Sequence, residues 1–436
     1  MFPSAALLTT VLLALSAAAT PFVTIRDAPV TLPLARKLNL TGGTKNLVKA
    51  AQARAKALRA LAEAKASGNA EAFHTDAVIN EAVDNQAVTY VASVGVGSPA
   101  TTYSLLIDTG SSNTWVGAGR AYVRTGTSTQ TTNRVSVTYG SGSFSGTEFT
   151  DQVTIASGLV ISKQSIGVAT RSTGFGGVDG ILGIGPVDLT SGTLTPATST
   201  LIPTVTDNLF SQGTITSNEI GISFNPTNVA ETVNGELTWG GTDSSKLTGA
   251  VNFTPITSTF PASEFWGINQ SIRYGASTTI LSSTAGIVDT GTTLVLLASG
   301  SSLLKFPPVQ YLISARFIDA IAAYQRATGA VADNATGLLR LTTTQFNNLQ
   351  SLFFTTNGVT YELIPDAQIW PRALNTAIGG NANSVYLIVA DLGTTSGQGL
   401  DFINGFAFLE RFYSVFDTTN KRVGFATTPN TRSTIN

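Results

Sequence analysis

The 436-residue chain contains no cysteine, one histidine and one methionine. Without thiols there is no disulfide framework, no cysteine nucleophile and no cysteine-based metal site. The lone histidine, His74, falls within or beside an N-terminal stretch read below as removable, so the body beyond it is expected to hold none. A Ser-His-Asp triad, a His-ligated zinc and a Cys-His pair are then out of reach. Charge is scarce as well. Asp, Glu, Lys and Arg make up 12% of the chain, about half the usual share of a soluble domain, and Ser and Thr supply much of the uncharged surface. Past the first twenty residues no apolar run is long enough to span a bilayer, and no membrane partner is expected. A body of roughly 350 residues buries enough surface to fold without disulfides, so the missing cysteines do not argue against export.

What is present begins with a targeting pattern. Ala5 to Ala19 is largely apolar and ends in Ala17-Ala18-Ala19, followed by Thr20-Pro21. That is the length of a signal-peptide core with a small-residue cleavage site, so residues 1–19 are read as a signal peptide and the product as secreted and extracellular. The polar C-terminus, Thr427 to Asn436, argues against a lipid anchor. Sequons at Asn252, Asn269 and Asn334 fit the same route.

Charge then divides the chain. Residues 21–70 hold nine Lys or Arg against Asp27 and Glu63, while residues 71–436 hold 16 basic against 24 acidic residues. A basic arm can bind nucleic acid. Behind a signal peptide it reads better as a propeptide, here residues 20–80, docked electrostatically on its own acidic body, with no nucleic-acid partner. Lys45 to Ser67 is Ala-rich with basic residues at helical spacing and predicts an amphipathic helix. Residues 68–85 show no clear pattern and are read as the processing region.

From Asn85 the pattern changes to short alternating runs: Gln86–Val96, Tyr103–Ile107, Arg134–Tyr139, Glu148–Ile155 and Val160–Val168, separated by Gly, Ser and Thr turns. Short helices are expected only near Pro203–Ser211, Phe317–Thr328, Thr343–Phe353 and Phe406–Arg411. The fold class is therefore all-β.

One string occurs twice. Leu105-Leu106-Ile107 runs into Asp108-Thr109-Gly110-Ser111, and Gly286-Ile287-Val288 runs into Asp289-Thr290-Gly291-Thr292. A single Asp-Thr-Gly is weak, being most simply a turn at a strand end. Two copies in the same strand context imply two related half-domains whose loops can meet. Apolar strands bury each Asp where its pKa can move, and Gly allows the backbones to approach closely. The Thr hydroxyls can bond across to the opposite loop, and Ser111 and Thr292 can donate to the neighbouring carboxylate. Two such carboxylates share one proton and activate a water as acid and base. A glycosidase also uses two carboxylates, commonly farther apart and without these loops.

On these residues the chain resembles the pepsin-type, two-lobed aspartic proteases, above all the cysteine-free secreted enzymes of wood-decay fungi. The resemblance spans nearly all of residues 77–436. Asn113-Thr114-Trp115 matches the segment after the first catalytic loop, and Val137–Ser143 resembles the flap hairpin. Asp179–Gly183 resembles the segment supporting the first loop, and Phe412–Phe425 the C-terminal strands. Read without the family, the hairpin is a Gly/Ser-tipped surface turn, and it lacks the following helix that a phosphate-binding loop needs.

The resemblance implies a bilobal pepsin-like fold, with residues 81–255 forming the lobe of Asp108 and the flap, and residues 256–436 forming the lobe of Asp289. It also implies that Tyr139, Gly140, Ser141 and Gly142 close over a protein or peptide substrate, with Tyr139 bonded to Trp115. No metal or organic cofactor is implied, and a monomer suffices. Two departures stand out. Phe402-Ile403-Asn404-Gly405 occupies the place where most members have apolar-Leu-Gly-Asp, and residues 301–316 look inserted, either as a loop near the cleft or as a retained intron. Some pepsin-like proteins are inactive binders or inhibitors, usually with a damaged loop or flap; here both loops, Tyr139 and Trp115 are intact.

Overall fold

Alternating β-branched, aromatic and hydroxyl residues broken by glycine produce sheet through most of the chain. The computed structural model describes residues 29–38, 47–76, 88–140, 142–300 and 319–436. The expected signal peptide at 1–19, Ser141 and the 301–316 segment lie outside the described residues.

Before the first Asp-Thr-Gly come β1 (Val30–Leu38), helix α1 (Leu47–Ala66) and helix α2 (Ala70–Asp76). The first half then supplies β2 (Val88–Val96), β3 (Thr101–Asp108), β4 (Thr114–Val116), β5 (Thr129–Thr138), β6 (Ser143–Ala156), β7 (Leu159–Thr173) and β8 (Gly180–Gly183). Next comes β9 (Glu231–Trp239), and the second half supplies β10 (Gly267–Tyr274), β11 (Thr278–Val288), β12 (Val295–Ser299), β13 (Val389–Thr395) and β14 (Phe402–Asn404).

The two halves repeat one another. β2 and β3 pair antiparallel, β3 runs parallel to β8, β8 antiparallel to β4, and β4 parallel to β7. Strands β10–β11, β11–β14, β14–β12 and β12–β13 repeat those senses in the same order. β3 and β11 keep register with their neighbours, their residues standing 181 positions apart as Thr109 does from Thr290. Thus Ile107 faces Leu182 as Val288 faces Asn404. Among the described residues the first half belongs to a fourteen-stranded sheet and the second to a seven-stranded one. The larger sheet also takes in Glu219–Ser223 and the C-terminal strands Phe412–Asp417 and Arg422–Thr427, so the chain end is stitched beside the first half. The fold is mostly β and bilobal, as the sequence indicates.

Three local features differ from the sequence reading. Residues 70–76 form α2 although the stretch shows no clear periodicity, because the helix is a single short piece packed on β5. The helix beginning at Thr343 ends at Asn347, and Leu352–Thr356 is a strand whose Leu352, Phe354 and Thr356 point inward. β1 is not apparent in the sequence because Arg36 and Lys37 interrupt its apolar signal. It nevertheless alternates, burying Leu32, Leu34, Arg36 and Leu38, and lies between β9 and β2, antiparallel to both. Docking of the basic N-terminal segment is thus backbone pairing as well as charge. Arg36 Nε reaches Glu410 Oε1 at 3.1 Å, and the same oxygen accepts from the Tyr90 hydroxyl at 2.9 Å.

Among the described residues, Glu148 of the first half is a buried acid without an ion-pair partner. Glu148, 2% exposed, has only the Ser165 hydroxyl (2.5 Å) on its carboxyl, and its Oε2 has no hydrogen-bond partner among the described residues. Burial pushes its pKa up to about 7 from an ordinary value of 4.5, against the Ser165 bond. A raised carboxyl means that the folded state holds its proton more tightly than the unfolded chain does. The stability it confers is full below about pH 4.5 and lost as pH rises through about 7, a change of about 3 kcal/mol. Glu148→Gln should flatten that loss, measured as urea midpoints at pH 4 and pH 7.5; an unchanged difference between the two would refute it.

Candidate active site

Strands β3 and β11 carry apolar residues to their ends and deliver Asp108 and Asp289 to the junction of the halves, both fully buried. The loops that follow are tied to each other. Thr109 N–H donates to Thr290 Oγ1 (3.0 Å) and Thr290 N–H to Thr109 Oγ1 (2.9 Å). Each hydroxyl goes on to a carbonyl across the junction, Thr290 to Ile107 (3.0 Å) and Thr109 to Val288 (3.4 Å). Within each loop the carboxylate is held twice. Gly110 N–H and Ser111 Oγ donate to Asp108 at 3.0 and 2.6 Å, and Gly291 N–H and Thr292 Oγ1 donate to Asp289 at 3.1 and 2.6 Å. All eight residues of the two strings are brought together.

The surrounding segments brace this pair. Asp108 C=O accepts from Ile184 N–H (2.9 Å), and Asp289 N–H donates to Asn404 C=O (3.1 Å). Trp115 is fully buried, stacked on Phe144 with ring centroids 4.2 Å apart, and its Nε1–H donates to the Tyr139 hydroxyl at 3.0 Å. Tyr139 and Gly142 close the hairpin through Tyr139 N–H and Gly142 C=O (2.7 Å), with Gly140 at its tip.

A residue that the sequence reading did not single out sits at the centre. Arg54 of α1 lies between the aspartates: Nη2 reaches Asp108 Oδ1 at 2.6 Å and Asp289 Oδ1 at 2.8 Å, and Nε reaches Asp289 Oδ2 at 2.7 Å. The hairpin packs on this turn so closely that a Cβ at Gly140 would lie 2.0 Å from Arg54 Cα. The clue lies in the spacing. Leu47, Ala50, Ala51, Leu58, Leu61 and Ala62 lie on the buried stripe of α1, and Arg54 is the one charged residue buried within it. Gln52 and Arg59 fasten the same helix to carbonyls of Asp391, Gln398 and Leu400. Beside the dyad there remains a cavity of about 20 Å³, lined by residues including Arg54, Leu58, Ser111, Tyr139 and Leu189. It is far too small for a peptide.

The electrostatics are asymmetric. Burial raises the Asp108 pKa by more than the Arg54 charge lowers it, and the facing Asp289 charge adds to the rise. Burial acts on Asp289 too, but Arg54's charge and hydrogen bonds, with Thr292 and Gly291, outweigh it and hold that carboxyl below its ordinary value. Burial would lower the Arg54 pKa, yet the two carboxylates more than offset it and keep the guanidinium charged. With Arg54 in place Asp108 takes up a proton before Asp289 as pH falls.

The family model for eukaryotic aspartyl proteases matches residues 89–428. The chain belongs to that family. The protease is 68% identical over 352 residues to polyporopepsin of Irpex lacteus, covering 81% of this chain and 98% of that one. It is 28% identical to pepsin A of Sus scrofa over 93% of this chain and 97% of that one. The crystal structure of the aspartic proteinase from Irpex lacteus superposes with a TM-score of 0.74 at 69% identity, over 80% of this chain and 96% of that one. The protease is an aspartic endopeptidase with the bilobal pepsin-like fold. No helix among its described residues is long and apolar enough to cross a membrane.

The cross-loop bonds generate a direct test. Thr290→Val keeps the shape but leaves the buried Thr109 N–H and Ile107 C=O without partners, which costs about 1–3 kcal/mol for an orphaned group. The denaturant midpoint should fall accordingly, with the slope unchanged. An unchanged midpoint would mean that the loops are held by packing alone.

Proposed function

We propose that this endopeptidase is made as a latent, secreted precursor and cuts internal peptide bonds of proteins in acid, with Asp108 and Asp289 activating the attacking water. The observation that carries this reading is the pair of buried, hydrogen-bonded carboxylates facing one another with a removable side chain between them. In the mature enzyme the ionised carboxyl takes a proton from the water while the protonated one supports the scissile carbonyl oxygen. As the amine leaves, the proton transfers reverse. Gly110 and Gly291 N–H, Ser111 and Thr292 hold the carboxylates in orientation, and Thr109 and Thr290 lock the loops. Tyr139, Gly140, Ser141 and Gly142 close over an extended substrate, with Trp115 anchoring Tyr139, and closure excludes bulk water. Both aspartates come from one chain, so a monomer completes the site and no cofactor is required.

Latency follows from the N-terminal segment. The family match begins at residue 89, and α1 fills the cleft ahead of it. Residues 20–80 act as a propeptide whose Arg54 neutralises the dyad and whose β1 completes the large sheet. Acid weakens this docking twice. Asp289, held low by Arg54, contributes to docking at neutral pH and loses that contribution as it protonates in acid.

The second contact is His74 in α2. Its Nδ1 accepts from Thr138 N–H (3.3 Å), and its carbonyl accepts from the Ser136 and Thr138 hydroxyls. Burial, then the charge of Lys65, pushes His74 down to about 4 from 6.5. A lowered His pKa gives stabilisation that is full above about 6.5 and lost as pH falls through about 4. Protonation would put a donor against the Thr138 donor and free the hairpin. Export is supported by the 1–19 pattern, and the acceptors Asn252, Asn269 and Asn334 are all exposed.

Two measurements test the reading. Purified mature protein should digest casein or haemoglobin at about pH 3–5, a range set by paired carboxylates, and pepstatin should stop it. Asp108→Asn should abolish digestion. No cleavage by correctly matured protein would favour an inert binding protein. For latency, acidified precursor should show a lag before cleavage that Arg54→Ala shortens. His74→Gln should need a pH lower by on the order of 0.5 unit to start. An unchanged lag in Arg54→Ala would remove the plug from the account.

A further inference from the structure

The duplicated halves differ at one buried pair beneath the catalytic loops. In the first half the paired positions are Val94 on β2 and Leu182 on β8, both fully buried and apolar. Strand register fixes their counterparts in the second half. Val94 faces Tyr103 as Gln270 faces Thr284, and Leu182 faces Ile107 as Asn404 faces Val288. Gln270 and Asn404 are equally buried, at 1% and 0% exposed. Their carboxamides bond reciprocally, Asn404 Nδ2 donating to Gln270 Oε1 (2.9 Å) and Gln270 Nε2 to Asn404 Oδ1 (3.3 Å). Asn404 also lies in the supporting segment that departs from the family pattern.

We propose that Gln270 and Asn404 are positioning residues that aim Asp289 and make the two catalytic loops inequivalent. An amide pair in an apolar core is not a cheap filler. It gains little net stability over two well-packed apolar side chains, and either amide alone would be an orphan. What it adds is direction. A leucine at 404 can adjust its rotamer against its neighbours, whereas a doubly bonded carboxamide fixes the side chain and, through it, the peptide that follows.

That peptide is the brace of the second loop. Asn404 C=O accepts from Asp289 N–H (3.1 Å), and the next two amides, of Phe406 and Ala407, donate to the carbonyls of Thr292 and Thr293 (2.8 and 3.1 Å). Gly405 between them has no room to yield, since a Cβ there would lie 2.3 Å from Leu294 C=O and 2.4 Å from Thr292 C=O. Rotation at Asn404 therefore passes to Asp289 rather than being absorbed. Gln270 supplies the fixed end from β10, one strand beyond β11.

The proposal rests on Asp289 being catalytic. Its test is the variant Gln270→Leu/Asn404→Leu, which gives the second half an apolar pair like that of the first. Active sites are counted by pepstatin titration and kcat, KM and the pH profile of kcat are measured against wild type. A wild-type enzyme without activity would remove the premise; wild-type activity lost on Asp289→Asn preserves it. The pair variant should keep KM within about two-fold and lose about ten-fold in kcat. One limb of its pH profile should move by about 0.5 unit or more. Unchanged kcat and unchanged limbs would overturn the proposal, whatever happens to Tm. Gln270→Glu provides the rescue arm and covers the case in which the pair variant does not fold. In acid its neutral carboxyl both accepts from and donates to Asn404, so kcat should stay near wild type and fall only as pH rises. A loss in acid equal to that of the pair variant, or of about ten-fold where the pair variant does not fold, would overturn the proposal as well.

Discussion

Two carboxylates share a buried space between the halves of this protein, and most of the surrounding structure is arranged around their mutual repulsion. Left alone, both could not be charged at once. Backbone N–H groups and hydroxyls make one charge tolerable, and the threonine exchange across the junction keeps the carboxylates from moving apart. The guanidinium of Arg54 goes further, since a planar group can face both acids at once. Its contact with Asp289 through two nitrogens, and with Asp108 through one, explains why the two acids depart from their ordinary values in opposite directions. A chemically symmetric pair has become an ordered one.

On the proposed function, the same arrangement would link latency to acid activity. The carboxylates proposed to share a proton for hydrolysis are the ones that hold Arg54 of α1 between them. On that reading acid would weaken the helix's hold and set the protonation needed for work in one change of conditions. His74 of α2 lies outside the dyad but would answer to the same variable through its contact with Thr138 of the hairpin. Glu148 tilts in that direction too, because its buried carboxyl favours the folded protein where acid keeps it neutral.

Much of this is legible in the amino-acid sequence. The duplicated Asp-Thr-Gly strings, each behind an apolar strand, locate both carboxylates, and the strand periodicity marks out most of the sheet. Trp115 and Tyr139 are placed by resemblance. What escapes has physical causes. Arg36 and Lys37 hide the alternation of β1 because a buried, paired arginine counts as polar in any periodicity. Arg54 looks like one more solvated charge on a basic helix, although its place on the apolar stripe sets it apart. Residues 70–76 and 352–356 are too short for periodicity to separate helix from strand. Asn404 is visible as a departure, but its partner Gln270 lies 134 positions away, and only strand register brings them together.

The route of the chain through the large sheet has a consequence for how the protein is made. Ile220 pairs with Phe416, so the strand at Glu219–Ser223 must wait nearly two hundred residues for its neighbour at Phe412–Asp417. Contacts that far apart in sequence close slowly, since a long loop must be ordered before they form. During synthesis from the N-terminus the first half therefore emerges with one flank open, and the second half is complete almost to its end before that flank is covered. The two C-terminal strands work as a latch: until they leave the ribosome, the large sheet stays open along Glu219–Ser223.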